Sequence, residues 1–185
     1  KDAVLMGACI EFLAPRFPNQ ITIVDNLKDI EAIIATGNNN SYKYFEHYFG
    51  GVPNIFRKNR NSIAVLTGLE TKEELESLGK DIFSYYGLGC RNVTQLIVPM
   101  DYSFDALFEA IHGYGDLINH NEYNNNYSYH RAMYLMNQMP FLDNNFLMII
   151  EDDSIFSPIG SLHYKRMEQE AMEEYINTHK ESLQC

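Results

Sequence analysis

A cysteine that directly follows a Gly-x-Gly turn is the residue of this chain best suited to covalent chemistry. Cys90 follows Gly87 and Gly89 and precedes Arg91. The glycines permit positive φ and a close approach of substrate to the backbone, and the arginine favours the thiolate. The N–H of Cys90 could itself contribute to an oxyanion hole. The pattern is compatible with an exposed nucleophile, but the residues alone favour a small apolar side chain buried in a tight turn, because a free cysteine is often simply buried.

A strand-to-helix junction at residues 35–41 is the second candidate. Thr36, Gly37 and Asn38 stand where a predicted strand ends and a predicted helix begins. Backbone amides at a helix N-terminus bind phosphate. However, the junction is neither G-x-G-x-x-G nor a P-loop, and ordinary capping by Asn or Ser explains it equally well. The residues alone leave both interpretations open.

Several charged groups give weaker signals. The basic cluster of Arg57, Lys58 and Arg60 could neutralise the phosphates of an anionic cofactor, or it could form a solvated face. His47 is interpreted as a packing residue and kept as a proton-transfer candidate. The acidic run 151–153 is either a cation site or a solvated strand end. The six histidines and three cysteines show no metal-ligand spacing and no CxxC pair, so we expect no metal, no disulfide framework and a cytoplasmic location.

The composition is that of a folded acidic protein. Of the 185 residues, 45% are hydrophobic, and the formal net charge is −11. Such a charge argues against a nucleic-acid surface or a polybasic membrane anchor, and no apolar window reaches the roughly 18 residues of a spanning helix. The chain begins with Lys1 and ends with Cys185, and both ends look cut, which predicts a fragment of a longer protein.

The elements that must position these residues alternate between short strands and helices, which predicts an α/β fold with a mostly parallel sheet. Thr71 and Glu74 form a T-x-x-E capping box, and the helix that starts there is expected to run to about Tyr86. Further strands are predicted at 21–24, 30–35, 63–66, 96–98 and 146–150, and further helices at 2–14, 42–49, 103–112, 132–139 and 165–180.

Residues 83–99, with the sequence FSYYGLGCRNVTQLIVP, resemble the nucleophile segment of the bacterial acyl-CoA reductases. These are relatives of the fatty-acid reductase of bacterial luminescence, within the aldehyde dehydrogenase superfamily. Three more segments are similar in the same order: 33–49 to a strand and phosphate-side helix, 54–66 to the crossing into the catalytic domain, and 155–159 to a late Phe-x-Pro cofactor loop. The resemblance covers most of residues 30–160, and Gly-Leu-Gly-Cys-Arg-Asn-Val is its most specific motif.

The resemblance implies an aldehyde dehydrogenase-like fold and a covalent mechanism. Residues 1–57 would be the C-terminal portion of a dinucleotide-binding domain, and residues 58–185 would be the catalytic domain. Cys90 would attack an acyl-CoA or another acyl thioester, and the thioacyl enzyme would take hydride from NADPH, with NADH as the alternative, to give a fatty aldehyde. The implied site comprises Cys90 as nucleophile, Gly89, Arg91 and Asn92 as the active-site loop, and Thr36, Gly37, Asn38 and Phe156 along the cofactor.

Two departures from the superfamily pattern carry information. Residues 56–60 contain no acid where hydrolytic aldehyde dehydrogenases have a general-base glutamate, which disfavours activation of water and fits a reductase. Ser154 stands where those enzymes have a glutamate that holds the nicotinamide ribose, so no ribose-binding carboxylate is expected there.

An acid-forming aldehyde dehydrogenase and a catalytically inert nucleotide-binding module are the alternative functions. The superfamily usually pairs subunits, which leaves a homo-oligomer as an open expectation.

Overall fold

A computed structural model of the chain describes residues 3–37, 39–58 and 60–184. The chain forms two compact units, unit 1 at Lys1–Arg57 and unit 2 at Lys58–Cys185. Among the described helices, none is long and apolar enough to cross a membrane.

Unit 1 is small and carries helix α1 (Ala3–Leu13), strand β1 (Ile33–Gly37), helix α2 (Asn39–Phe49) and strand β2 (Asn54–Lys58), which ends one residue beyond the unit boundary. The two strands pair in a two-stranded sheet. The expected strand at 21–24 is wrong, because these residues pair with no other strand and form no regular structure. Ile23 and Val24 are 72% and 54% exposed, since β-branched residues form a strand only where a partner is present.

Unit 2 is built on a five-stranded sheet with the order β3-β4-β7-β6-β5. The first four strands of this order run parallel, and β5 is an antiparallel edge strand, so the predicted α/β class with a mostly parallel sheet is confirmed. The strands are β3 (Ser62–Val65), β4 (Val93–Val98), β5 (Leu142–Asp143), β6 (Met148–Glu151) and β7 (Ser161–Arg166). The helices are α3 (Lys72–Phe83), α4 (Asp105–Ala110), α5 (Asn121–Met136) and α6 (Gln169–His179), with 3₁₀ turns at Ser84–Gly87 and His112–Asn119.

Apolar side chains cover both faces of this sheet, so the central strands are buried continuously. Along β4, Leu96 and Val98 belong to the cluster that also contains side chains of α3 and α4. Ile97, between them, belongs to a second cluster with Met172 of α6. Alternate residues of β4 therefore face different helices, which matters for the polar residue Gln95 described below.

The capping box of α3 forms as predicted. The hydroxyl of Thr71 accepts the backbone N–H of Glu74 at 3.3 Å, and the carboxylate of Glu74 accepts the backbone N–H of Thr71 at 2.8 Å. The helix ends at Phe83, earlier than expected, because Tyr85 and Tyr86 have φ angles of 53° and 60°. A helix cannot continue through residues with a left-handed backbone.

The strand β7 was not expected, and it lies between β4 and β6 at the centre of the sheet. The predicted helix at 165–180 is wrong at its start, because Lys165 and Arg166 pair with Ile97 and Val98 of β4. The helix α6 begins at Gln169 instead. The first half of β7 is buried although it carries the polar residue His163.

Candidate functional site

The turn before Cys90 has an uncommon backbone. Three consecutive residues, Tyr85, Tyr86 and Gly87, have φ angles of 53°, 60° and 77°, a conformation that only glycine adopts without cost. Cys90 follows this turn, and its side chain is exposed. The alternative interpretation of Cys90 as a buried apolar residue is therefore wrong.

Asn92 ties this turn to the end of α3. Its side chain is 5% exposed, and its amide nitrogen donates to the carbonyls of Asp81 and Ile82 at 2.8 and 3.1 Å. Its amide oxygen accepts the N–H of Gly89 at 2.7 Å, and a Cβ at Gly89 would lie 2.7 Å from that oxygen. Glycine is needed at 89 because the amide approaches the backbone so closely.

Because of these bonds, some of the predicted loop residues hold the loop and others remain accessible. The side chain of Asn92 and the N–H of Gly89 are both engaged in holding the loop. Arg91 is exposed next to Cys90. The N–H of Cys90 has no hydrogen-bond partner among the described residues, which leaves it available to a substrate oxygen. The carbonyl of Cys90 accepts the Ser62 hydroxyl at 3.5 Å, so the loop also contacts the start of β3.

The loop between β6 and β7 is held against β4. The hydroxyl of Thr94 donates to the carbonyl of Ile155 at 2.6 Å. Phe156, the next residue, is 59% exposed. The hydroxyl of Ser154 donates to the carbonyl of Phe156 at 3.0 Å, so this hydroxyl serves the shape of its own loop. Phe156 therefore lies on a loop that is hydrogen-bonded to β4, the strand that follows Cys90.

A narrow cleft lies next to the turn that precedes Cys90. Its lining residues are Ile82, Phe83, Tyr86, Gly87, Val93, Thr94, Tyr123, Leu147 and residues 157–161. The hydroxyl of Tyr123 donates to the carbonyl of Phe146 at 3.0 Å, and burial, followed by the neighbouring Tyr127, raises its pKa above the ordinary tyrosine value. Tyr123 therefore stays a neutral donor, because burial disfavours the phenolate.

His120 borders the same region and was not predicted from the sequence. Its ring stacks on Tyr86 with centroids 4.1 Å apart, and its Nδ1 accepts the N–H of Tyr123 at 3.4 Å as the cap of α5. No local pattern marks such a residue, because its partner Tyr86 is remote in the chain. A histidine that precedes a helical segment and could cap it is the one signal that the sequence contains.

The predicted cofactor junction lies in unit 1. Thr36 is exposed at the end of β1, and a Cβ on Gly37 would lie 2.6 Å from the Cβ of Ser41 in α2. Glycine at 37 thus permits the strand to meet the helix closely. Asn38 lies outside the described residues. A strand, a glycine and an 11-residue helix follow one another here, which is compatible both with ordinary capping and with phosphate binding.

The secondary candidates have ordinary partners or stand exposed. Asp152 accepts the N–H of Ser154 at 2.7 Å, and Asp153 pairs with Lys165 at 2.6 Å, which favours a structural role for the acidic run. His47 contacts the ring of Tyr48 edge-on at 4.9 Å. Of the basic cluster, Arg57 and Arg60 are exposed, and the side chain of Lys58 lies outside the described part.

No family model matches the sequence, and no curated protein matches it either. Solved structures do match. An indole-3-acetaldehyde dehydrogenase in complex with NAD+ is 15% identical with a TM-score of 0.59, over 80% of this chain and 37% of that chain. The aldehyde dehydrogenase KauB from Pseudomonas aeruginosa is 14% identical with a TM-score of 0.58, over 80% of this chain and 37% of the other.

An NADP-dependent glyceraldehyde-3-phosphate dehydrogenase from Bacillus halodurans, complexed with NADP, is 15% identical with a TM-score of 0.52, over 75% of this chain and 35% of that one. The chain thus spans less than two fifths of the length of these three proteins. Identities this low establish likeness of fold rather than of activity. The chain has the α/β fold of the corresponding part of the aldehyde dehydrogenases.

Proposed function

We propose that this protein is an acyl-CoA reductase, an oxidoreductase that converts a long-chain acyl thioester to an aldehyde through a thioacyl intermediate on Cys90. The observation that carries the proposal is the exposed thiol of Cys90 on a loop whose backbone Asn92 fixes with three hydrogen bonds. A nucleophile must be both accessible and held in place to react efficiently.

In the acylation step, the sulfur of Cys90 attacks the carbonyl carbon of the thioester. The bond from that carbon to the sulfur of CoA breaks, and CoA leaves as a thiol with the proton from Cys90. The exchange of one thioester for another is nearly balanced in energy, which suits covalent catalysis. The N–H of Cys90, which has no hydrogen-bond partner among the described residues, would stabilise the carbonyl oxygen as negative charge develops on it. The exposed Arg91 adjoins it in the chain.

Each unit, taken by itself, offers groups that suit a nicotinamide dinucleotide. The junction at Thr36 and Gly37 offers the start of α2 to a phosphate, and Phe156 offers an exposed ring to a planar group. Two of the solved structures named above hold NAD+ and NADP, which supports the same class of cofactor here. We assign residues 1–57 to a dinucleotide-binding domain and residues 58–185 to a catalytic domain. When bound, reduced NADPH, or NADH as the alternative, would supply the hydride that takes the thioester to the aldehyde.

The lack of an acid at 56–60 favours the reductase over an aldehyde dehydrogenase that forms acid. Without a carboxylate to activate water, a thioacyl intermediate persists long enough to be reduced. Likeness of fold alone supports an acid-forming aldehyde dehydrogenase equally well, because the solved structures named above are aldehyde dehydrogenases. Supplying aldehyde and oxidised cofactor, with and without CoA, separates the two, because rapid acid formation without CoA would establish the dehydrogenase.

Mass spectrometry after incubation with a long-chain acyl-CoA, in the absence of cofactor, tests the proposal. We expect the peptide that contains Cys90 to gain the mass of the acyl group and free CoA thiol to appear in equal amount. Cys9 is also exposed, so Cys9→Ser is the matched control and should keep the modification, whereas Cys90→Ser should lose it. Equal acylation of the two cysteines, or acylation that survives in Cys90→Ser, would refute the role of Cys90.

A further inference from the structure

We propose that Thr94 and Gln95 of β4 are positioning residues, which hold the loop of residues 152–158 so that Phe156 keeps a fixed place relative to Cys90. This inference rests on the proposed function, because it gives Phe156 its task at the cofactor. Neither Thr94 nor Gln95 is predicted to touch substrate or cofactor. Their effect is transmitted through the backbone of the loop.

The first contact comes from Thr94, which stands two residues after Asn92. Its hydroxyl donates to the carbonyl of Ile155 at 2.6 Å, directly before Phe156. Asn92 in turn fixes the turn that presents Cys90. Asn92 directly before β4 and Thr94 within β4 therefore hold the two segments that carry Cys90 and Phe156.

The second contact comes from Gln95, whose side chain is 0% exposed. Its amide nitrogen donates to the carbonyls of Asp152 and Ser154 at 3.2 and 3.4 Å. Its amide oxygen accepts the hydroxyl of Tyr175 from α6 at 2.9 Å. A fully buried amide is costly unless its donors and acceptor are satisfied, and here the loop and α6 together satisfy them.

A third side chain, that of His163, contacts the carbonyl of Ser154. Nδ1 of His163, which is 6% exposed in β7, lies 2.9 Å from the carbonyl oxygen of Ser154. Gln95 and His163 are register partners in β4 and β7, so two neighbouring strands converge on one loop carbonyl. The contacts from β4 and β7 reach the carbonyls of Asp152, Ser154 and Ile155, and the ring of Phe156 beyond them stays exposed. This arrangement fixes the backbone of the loop and leaves the Phe156 ring free to meet a ligand.

The consequence is a separation between two measurable steps. Acylation of Cys90 depends on the loop held by Asn92, whereas retention of the nicotinamide depends on the loop held by Thr94 and Gln95. Loss of the Thr94 hydroxyl leaves the Ile155 carbonyl without its donor, and a lost hydrogen bond to a partly buried group corresponds to roughly a tenfold change in an equilibrium. We expect this change to weaken cofactor binding and to leave acylation of Cys90 unaffected.

The experiment compares Thr94→Val, which keeps the shape but loses the hydroxyl, with Thr94→Ser, which keeps the hydroxyl. Tyr175→Phe removes the donor to Gln95, and Tyr164→Phe is its matched control, because the Tyr164 hydroxyl contacts Glu151 at 3.3 Å instead of the loop backbone. Three readouts are taken on each protein: hydrogen exchange of the amides at 154–157, the dissociation constant for NADPH by fluorescence, and acylation of Cys90 by mass spectrometry.

We expect Thr94→Val to raise both the exchange rate at 154–157 and the NADPH dissociation constant roughly tenfold, with acylation of Cys90 unchanged. Thr94→Ser should restore both values, Tyr175→Phe should shift them in the same direction as Thr94→Val, and Tyr164→Phe should leave them at the wild-type level. Unchanged loop exchange in Thr94→Val, or a loss of acylation as large as the loss of NADPH binding, would overturn the inference. Absence of acylation in the wild type would instead overturn the proposed function, while the exchange comparison would still decide whether Thr94 holds the loop.

Discussion

At the scale of single residues, the reactive group and the group that positions it are different side chains. Cys90 is exposed, and the buried amide of Asn92 makes the three hydrogen bonds that shape the loop. The strained φ angles of Tyr85 and Tyr86 persist because such bonds outweigh their cost. Removal of Asn92 should therefore affect the loop and the stability of the fold together.

Replacement of Asn92 by alanine is expected to lower the free energy of unfolding by about 2–4 kcal/mol, because it leaves the carbonyls of Asp81 and Ile82 and the N–H of Gly89 without partners. Urea unfolding followed by circular dichroism measures this change. Asn125→Ala is the matched control, since Asn125 is exposed in α5, and it should shift the free energy by no more than about 0.5 kcal/mol. Equal effects of the two substitutions would show that Asn92 does not hold the loop.

Sequence reasoning reaches some of these residues and misses others for a physical reason. Cys90 is recognisable because its neighbours in the chain, two glycines and an arginine, are also the groups that frame it. Thr94 and Gln95 have partners some sixty residues away, as His120 has a partner outside its own helix. A local pattern contains no information about such contacts until the order of the strands is known.

At the scale of elements, hydrophobic periodicity predicts those strands and helices that are typical of their class. Strand β4 and the capped helix α3 are found where they are expected, although β4 begins three residues earlier and α3 already ends at Phe83. Strand β7 has the sequence Ser-Leu-His-Tyr-Lys-Arg, which contains no β-branched residue. Its place in the sheet comes from pairing with β4 and β6, which overrides its weak local preference.

Gly160 precedes β7 and is predicted to tolerate no side chain. Its φ is 79°, and a Cβ would lie 2.9 Å from the Cα and Cβ of Tyr127 in α5, so neither atom can rotate away. We expect Gly160→Ala to destabilise unit 2 by about 2–4 kcal/mol through strain and overpacking, measured as a lowered midpoint of thermal unfolding.

The matched control for this substitution is Gly113→Ala. A Cβ at Gly113 meets nothing within 4 Å, and its φ is outside the left-handed region. The alanine should leave stability unchanged or raise it by up to about 1 kcal/mol. A Gly160→Ala protein as stable as the Gly113→Ala protein would mean that α5 does not pack on Gly160 as described.

At the scale of the whole molecule, the composition predicts enough apolar material for a core but not where that core lies. Among the described residues, every buried hydrophobic side chain except that of Ile33 belongs to unit 2. The helix α1 is apolar yet has no buried residue, with Val4 84% exposed. The two units therefore differ in how much apolar surface they remove from water, which is the main source of folding stability.

This difference predicts a large contrast in hydrogen exchange across the intact chain. Amides of β4, where Leu96, Ile97 and Val98 are 0% exposed, should exchange only through opening of the whole sheet of unit 2. Amides of β1 and β2 should exchange through local opening, more than about a hundredfold faster, because little apolar surface is lost when that two-stranded sheet separates. Exchange followed by mass spectrometry of peptides from both units measures the ratio. Equal protection of β1 and β4 would show that unit 1 is stabilised by burial that its own side chains do not provide, and the contrast between the units would then be wrong.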